Sequence, residues 1–140
     1  MNKQVYKLLI ILIMLLGACT EISPESQVST NLQKLRISNI GDKNIEDLIV
    51  VFPGVTTAVT QINFGSINSG QTTEFQMIPG GVYRYAGYEY TIGDETVYQA
   101  VIDWVGEKPL PGTQFTYQIA LDETKVNGDQ VQLVNVLTDN

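Results

Sequence analysis

The sequence predicts an all-β protein: a single antiparallel β-sandwich of about eight strands, preceded by an N-terminal signal helix. Three observations carry this reading. From Leu32 onward, runs rich in Val, Ile, Thr, Tyr and Phe are separated by turn residues every eight to twelve residues or so. Within most runs apolar and polar side chains alternate, which turns one face of a strand to a core and the other to water. No stretch beyond the first residues keeps a helical period over about ten residues. No repeat of fixed length points to a propeller or solenoid. A small barrel is the architectural alternative.

The elements follow in order. Leu35 and Ile37 alternate with Lys34, Arg36 and Ser38 in a first strand, and Gly41-Asp42-Lys43-Asn44 turns it. Leu48, Val50 and Phe52 alternate with Ile49 and Val51, so both faces are apolar, as in a strand covered on two sides. Pro53-Gly54 ends it, because proline brings no N–H to the ladder. A third strand is expected over Ala58–Ile67, and a fourth with Thr73, Phe75 and Met77 on one face. The longest candidate runs from Val82 to Ile92. There Ala86, Tyr88, Tyr90 and Ile92 share one parity and Tyr83 and Tyr85 the other, with a bulge or bend expected at Gly87. Gly93-Asp94 signals a tight hairpin. The next run is expected to point Tyr98, Ala100, Ile102 and Trp104 one way, with Gln99 and Asp103 opposite. After the Pro-rich loop Gly106–Gly112, Phe115, Tyr117, Ile119 and Leu121 give the cleanest alternation in the chain. Asn127-Gly128 predicts a type I′ turn into a last strand from Val131 to about Thr138.

The first residues obey different rules. Lys3 and Lys7 form a basic head, Leu8–Leu16 is an unbroken apolar run, and Gly17 and Ala18 are small. These are the parts of a secretory signal peptide. The run falls short of the roughly 20 apolar residues of a comfortable membrane span. Leu16-Gly17-Ala18-Cys19 resembles the lipobox of bacterial lipoproteins. The resemblance implies that residues 1–18 are removed, and that Cys19 becomes an acylated first residue carrying a diacylglyceryl group and a further chain such as palmitate. Several acyl chains hold firmly where one binds only marginally. Residues 19–31 are then the lipidated cysteine and a polar tether, and 32–140 the β-domain.

Composition narrows the function. The chain carries 8 basic and 15 acidic side chains, a net charge of −7. The excess acid disfavours nucleic acid, which asks for a basic face. There is no histidine and one cysteine. A Ser-His-Asp or Cys-His arrangement and a Cys/His zinc site are therefore excluded, and no disulfide can form within the chain. Acids gather in three turns (Asp42, Glu46 and Asp47; Asp94 and Glu95; Asp122, Glu123 and Asp129) without the dense oxygen spacing of a calcium loop. No cofactor and no metal is expected. Pro79-Gly80-Gly81 lacks the lysine and helix context of a phosphate loop.

One stretch stands out as a recognition surface. Tyr83-Arg84-Tyr85-Ala86-Gly87-Tyr88-Glu89-Tyr90 places four tyrosines beside Arg84 and Glu89, and tyrosine offers wide contact area and a hydroxyl. Tyrosine is also a good strand residue, so core packing competes with this reading. Tyr83 and Tyr85 are the pair expected at the surface, with Arg84 and Glu89 flanking them. Trp104, beside Asp103 and near Glu107, is a second candidate and equally a core anchor.

Val82–Ala86, Val101–Glu107 and Phe115-Thr116-Tyr117 also resemble small uncharacterised bacterial lipoproteins with an immunoglobulin-like or transthyretin-like sandwich. That resemblance implies fold and location and brings no activity. The expectation is a non-enzymatic interaction or structural module of the cell envelope. It would be held to the bilayer through acylated Cys19 and would work with an envelope protein partner. The alternative is a binding protein for a small ligand, peptide or sugar on the tyrosine face. Thr20, in place of an inner-membrane-retaining aspartate, favours the outer membrane if the source is Gram-negative.

Overall fold

The computed structural model describes residues 32–54 and 59–139. The signal peptide, Cys19 and tether expected over 1–31 lie outside the described residues, as does Ala58 at the expected start of the third strand.

Eight strands follow one another: β1 Gln33–Asn39, β2 Ile45–Phe52, β3 Thr60–Ile67, β4 Gln76–Ile78, β5 Gly87–Ile92, β6 Glu95–Gln99, β7 Gln114–Leu121 and β8 Val131–Asp139. They form two four-stranded sheets, ordered β4-β1-β7-β8 and β3-β2-β5-β6. Leu35, Ile37, Phe115, Tyr117, Ile119 and Val131 of the first sheet share one core with Leu48, Val50, Phe52, Tyr88 and Tyr90 of the second. The alternation in β1 and β7 is the direct cause, since it supplies a continuous apolar layer to each strand's inner face. β2 lies inside its sheet, between β3 and β5, and buries Val51 as well as Leu48, Val50 and Phe52. Its two-sided apolar sequence reflects that position.

One strand pair departs from the antiparallel expectation. β1 and β7 pair in parallel, Lys34 opposite Gln114 through Asn39 opposite Ile119, so the first sheet is mixed. Hairpins force antiparallel neighbours, and β1 and β7 are not joined by one: the chain builds the whole second sheet between them.

Three local expectations are corrected. Val82–Ile92 is not one strand, because the ladder starts only at Gly87. A Cβ on Gly87 would lie 3.0 Å from the Gln99 carbonyl oxygen, so the close crossing of the 99–101 segment requires glycine there. β4 is only three residues long and leaves Met77 exposed. Upstream of it, Thr73 uses its hydroxyl oxygen to accept the Ile37 amide at 3.0 Å, in the manner of a backbone group. The parity of β6 is opposite to that expected. Val97 and Gln99 face inward, Tyr98 and Ile102 are exposed, and the strand ends at Gln99.

The turns divide in the same way. Gly93-Asp94 closes β5 to β6 with Gly93 at φ 60°, as a type II′ turn needs. Asn127-Gly128 does not make a type I′ turn. Only Gly128 has positive φ, and the Asp129 amide donates to the Val126 carbonyl at 3.1 Å, the pattern of type II.

Candidate functional site: a trough beside β8

The tyrosine-rich stretch is placed by a clamp. Gln33, at the start of β1, accepts the Val82 amide at 2.6 Å and donates to the carbonyls of Leu110 and Gly112 at 2.6 and 2.9 Å. This pins the 82–86 segment and the Pro-rich loop to β1. From there the chain crosses the end of the sandwich toward β8. Its Tyr83 carbonyl accepts the Tyr117 hydroxyl of β7, and the Tyr83 hydroxyl donates to the Gly80 carbonyl at 3.2 Å.

The five residues grouped by the sequence part into three sets. Tyr83 and Trp104 pack against the core and each other, with ring centroids 4.6 Å apart, and the Phe52 ring lies 5.8 Å from that of Tyr83. Tyr83 is therefore half-buried scaffold rather than open surface. Trp104 is likewise half-buried, and its Nε1 is enclosed without a hydrogen-bond partner. Arg84 and Tyr85 are exposed, Tyr85 at 40 %. Glu89 pairs with Ile49 and Tyr98 on the opposite parity from the buried Tyr88 and Tyr90, on the outer face of the second sheet. It does not join Arg84 and Tyr85.

Two adjoining hollows of about 440 and 460 Å³ share Tyr85 and Leu133 and together make a trough along β8. One hollow is walled by Ala86, Val101, Ile102 and Leu133, with Asp103 and Asp129 at its rim. The other runs beside Leu133–Val136, with Arg84 at its rim. The cause is incomplete cover. β6 ends at Gln99, so Leu133 and Val136 face the core but stay half-buried. Asp103 adopts φ 61°, a left-handed conformation that favours glycine, at the same rim. The sequence signals for this site were weak because Leu133, Val134 and Val136 read simply as a strand.

Electrostatics at the trough are spare. Among the described residues Arg84 makes no ion pair; Arg36–Asp139 and Lys43–Glu123 are the pairs present. Burial holds the Tyr88 hydroxyl far above its ordinary range, and that hydroxyl has no partner among the described residues. Burial, then the neighbouring Tyr88 and Glu107, raises Tyr117 in the same direction. Of the acidic turns, Asp122 accepts the Thr124 hydroxyl at 2.6 Å and the Thr124 amide at 3.0 Å, which holds its carboxyl below the usual range. Among the described residues no three of His, Cys, Asp and Glu are grouped so as to hold a metal, and no helix is long and apolar enough to cross a membrane. The arrangement offers walls of mixed polarity, a sheet-edge strand and separated charges, which are means of contact.

No protein-family model, curated protein or solved structure matches the chain.

Proposed function

We propose that the protein is a lipid-anchored bacterial envelope lipoprotein whose β-domain is a non-enzymatic interaction or structural module. The single observation that carries this is Leu16-Gly17-Ala18-Cys19 after a basic head and a short apolar run. The membrane is the outer one if the source is Gram-negative, since Thr20 follows the cysteine. The sandwich is proposed to be of the immunoglobulin-like or transthyretin-like kind. Two four-stranded sheets around one core support that assignment.

The interaction reading is supported by what lies at the surface: a trough of mixed apolar and polar lining with exposed Arg84 and Tyr85. The same two residues support the second reading, a binding protein for a small ligand, peptide or sugar. Growth with an alkyne-tagged fatty acid tests the anchor. The wild-type chain takes up the tag, and Cys19→Ser abolishes uptake and leaves precursor. Equal tagging of the two would refute the anchor. Crosslinking in intact cells, wild type against Tyr85→Ala, tests the module: a partner band that weakens in the variant supports it, and no band in either contradicts it.

A further inference from the structure

Among the described residues β8 is the edge strand of its sheet. At its start the Gln99 side chain already holds both backbone groups of Val131, so the open part of the edge begins at Leu133. Natural edges of this length are usually guarded by lysine or proline. Val131–Thr138 (VQLVNVLT) contains neither and has no charge at all. Two features interrupt the open part: Gln118 pairs with Asn135 and Ile119 with Leu133, so Val134 is an extra, bulged residue and is 57 % exposed, and the Asn135 side chain accepts the Val136 amide at 2.9 Å. The trough runs beside this edge, and its charges are separated along it. Arg84 stands by Leu133–Val136, and Asp103 and Asp129 stand by Val131–Leu133.

We propose that β8 receives an extended segment of a partner protein as an added strand. Its apolar side chains would cover Leu133, Val136 and Tyr85, with a carboxylate at the Arg84 end and a basic group at the Asp103 and Asp129 end. Added strands draw affinity from main-chain hydrogen bonds and specificity from alternate side chains, and this site supplies both a partly open edge from Leu133 onward and a lined trough. Charge complementarity fixes the chemistry: in a chain of net charge −7, Arg84, which makes no ion pair among the described residues, stands at one end of an uncharged strip and two carboxylates at the other. A second copy of this chain fits less well. Antiparallel pairing of two β8 strands would bring two bulges together at the centre and send the two β1 starts to opposite ends. This inference rests on the interaction-module reading and names its partner's chemistry.

The test uses the full chain in non-ionic detergent and two fluorescent peptides, Lys-Val-Thr-Val-Ser-Val-Glu and the same sequence with glutamate at both ends. The first is expected to bind about fivefold more tightly than the second, the scale of a rim charge. Arg84→Glu is expected to weaken the first peptide by a similar factor, Arg84→Lys to keep it, and Glu95→Lys on the β6 edge to leave it unchanged. Equal affinity for both peptides, or no effect of Arg84→Glu on chain shown to be folded by circular dichroism, overturns the proposal. So does a mass of two chains by light scattering that Arg84→Glu returns to one, because a copy would then fill the trough. A crosslinked partner band that Tyr85→Ala weakens would stand even if both peptides bound equally, so the interaction-module reading and the strand-addition proposal fail separately.

Discussion

The side-chain amide of Gln99 on β6 pairs with both backbone groups of Val131 on β8: its Nε2 donates to the carbonyl at 2.8 Å and its Oε1 accepts the amide at 3.0 Å. A glutamine thereby closes the gap between the two sheets where no strand does. Gln130, next in the chain, accepts the Tyr90 hydroxyl at 2.9 Å and reinforces the seam. Gln99→Leu keeps much of the volume and leaves two buried backbone groups unpaired. It is expected to cost about 2–4 kcal/mol in urea unfolding. A loss under about 0.5 kcal/mol, the scale of a featureless surface change, would show the seam to be dispensable.

The buried phenols set an alkaline limit. Tyr88 and Tyr117 both have their hydroxyls raised above the ordinary value, first by burial. A group raised in the folded state gives stability that is complete below its unfolded value, near 10, and is lost as pH climbs toward the folded one. Unfolding free energy is therefore expected to fall above about pH 10, by roughly 1.4 kcal/mol per pH unit for each phenol. Tyr88→Phe should flatten that fall at little cost at pH 7, because the hydroxyl it removes has no partner. Tyr117→Phe should flatten it too, and lose about 1 kcal/mol at pH 7 with the bond to the Tyr83 carbonyl. Urea titrations at pH 8 and 11 read both effects.

Neighbouring tyrosines should behave differently. Tyr83 packs against both Phe52 and Trp104, so Tyr83→Ala removes both contacts and is expected to destabilise by about 2–3 kcal/mol. Tyr85 is exposed, and Tyr85→Ala is expected to change stability by under about 0.5 kcal/mol. Thermal unfolding of the two variants side by side separates scaffold from surface. Equal losses would mean that the crossing segment is rigid throughout.

The outer face of the first sheet carries a salt-sensitive tie. Arg36 donates to Thr116 Oγ1 at 2.9 Å and to Asp139 Oδ1 at 3.3 Å, and lies 4.5 Å above the Phe75 ring. The ion pair is partly open to solvent. Arg36→Gln is expected to cost about 1 kcal/mol at low ionic strength and less in about 1 M salt, where screening has already weakened the pair. A cost unchanged by salt would assign the effect to packing on Phe75.

Strand identity was largely legible because alternation is a direct record of which face is buried. Leu35 and Ile37, and Phe115 through Leu121, buried the faces that their parity foretold. The parallel β1–β7 pair was not legible, because pairing between distant strands leaves no local mark. β6 misled because Gln99 is buried for its amide, while Tyr98 and Ile102 lie open although apolar. Polarity predicts exposure only for groups with no partner inside. At the candidate site the sequence grouped Tyr83, Arg84, Tyr85, Glu89 and Trp104, of which Tyr83 and Trp104 pack on the core, Glu89 lies on the outer face of the second sheet, and only Arg84 and Tyr85 line the trough. The β8 wall of the trough went unread, since a groove is made by where neighbouring strands stop.

The intact mass of the chain recovered from the detergent phase of envelope membranes decides whether the lipid anchor exists. The expected species begins at Cys19 and is heavier than residues 19–140 by a diacylglyceryl group and a further acyl chain. A chain that still carries residues 1–18, or a mature chain with an unmodified Cys19 thiol, would contradict it.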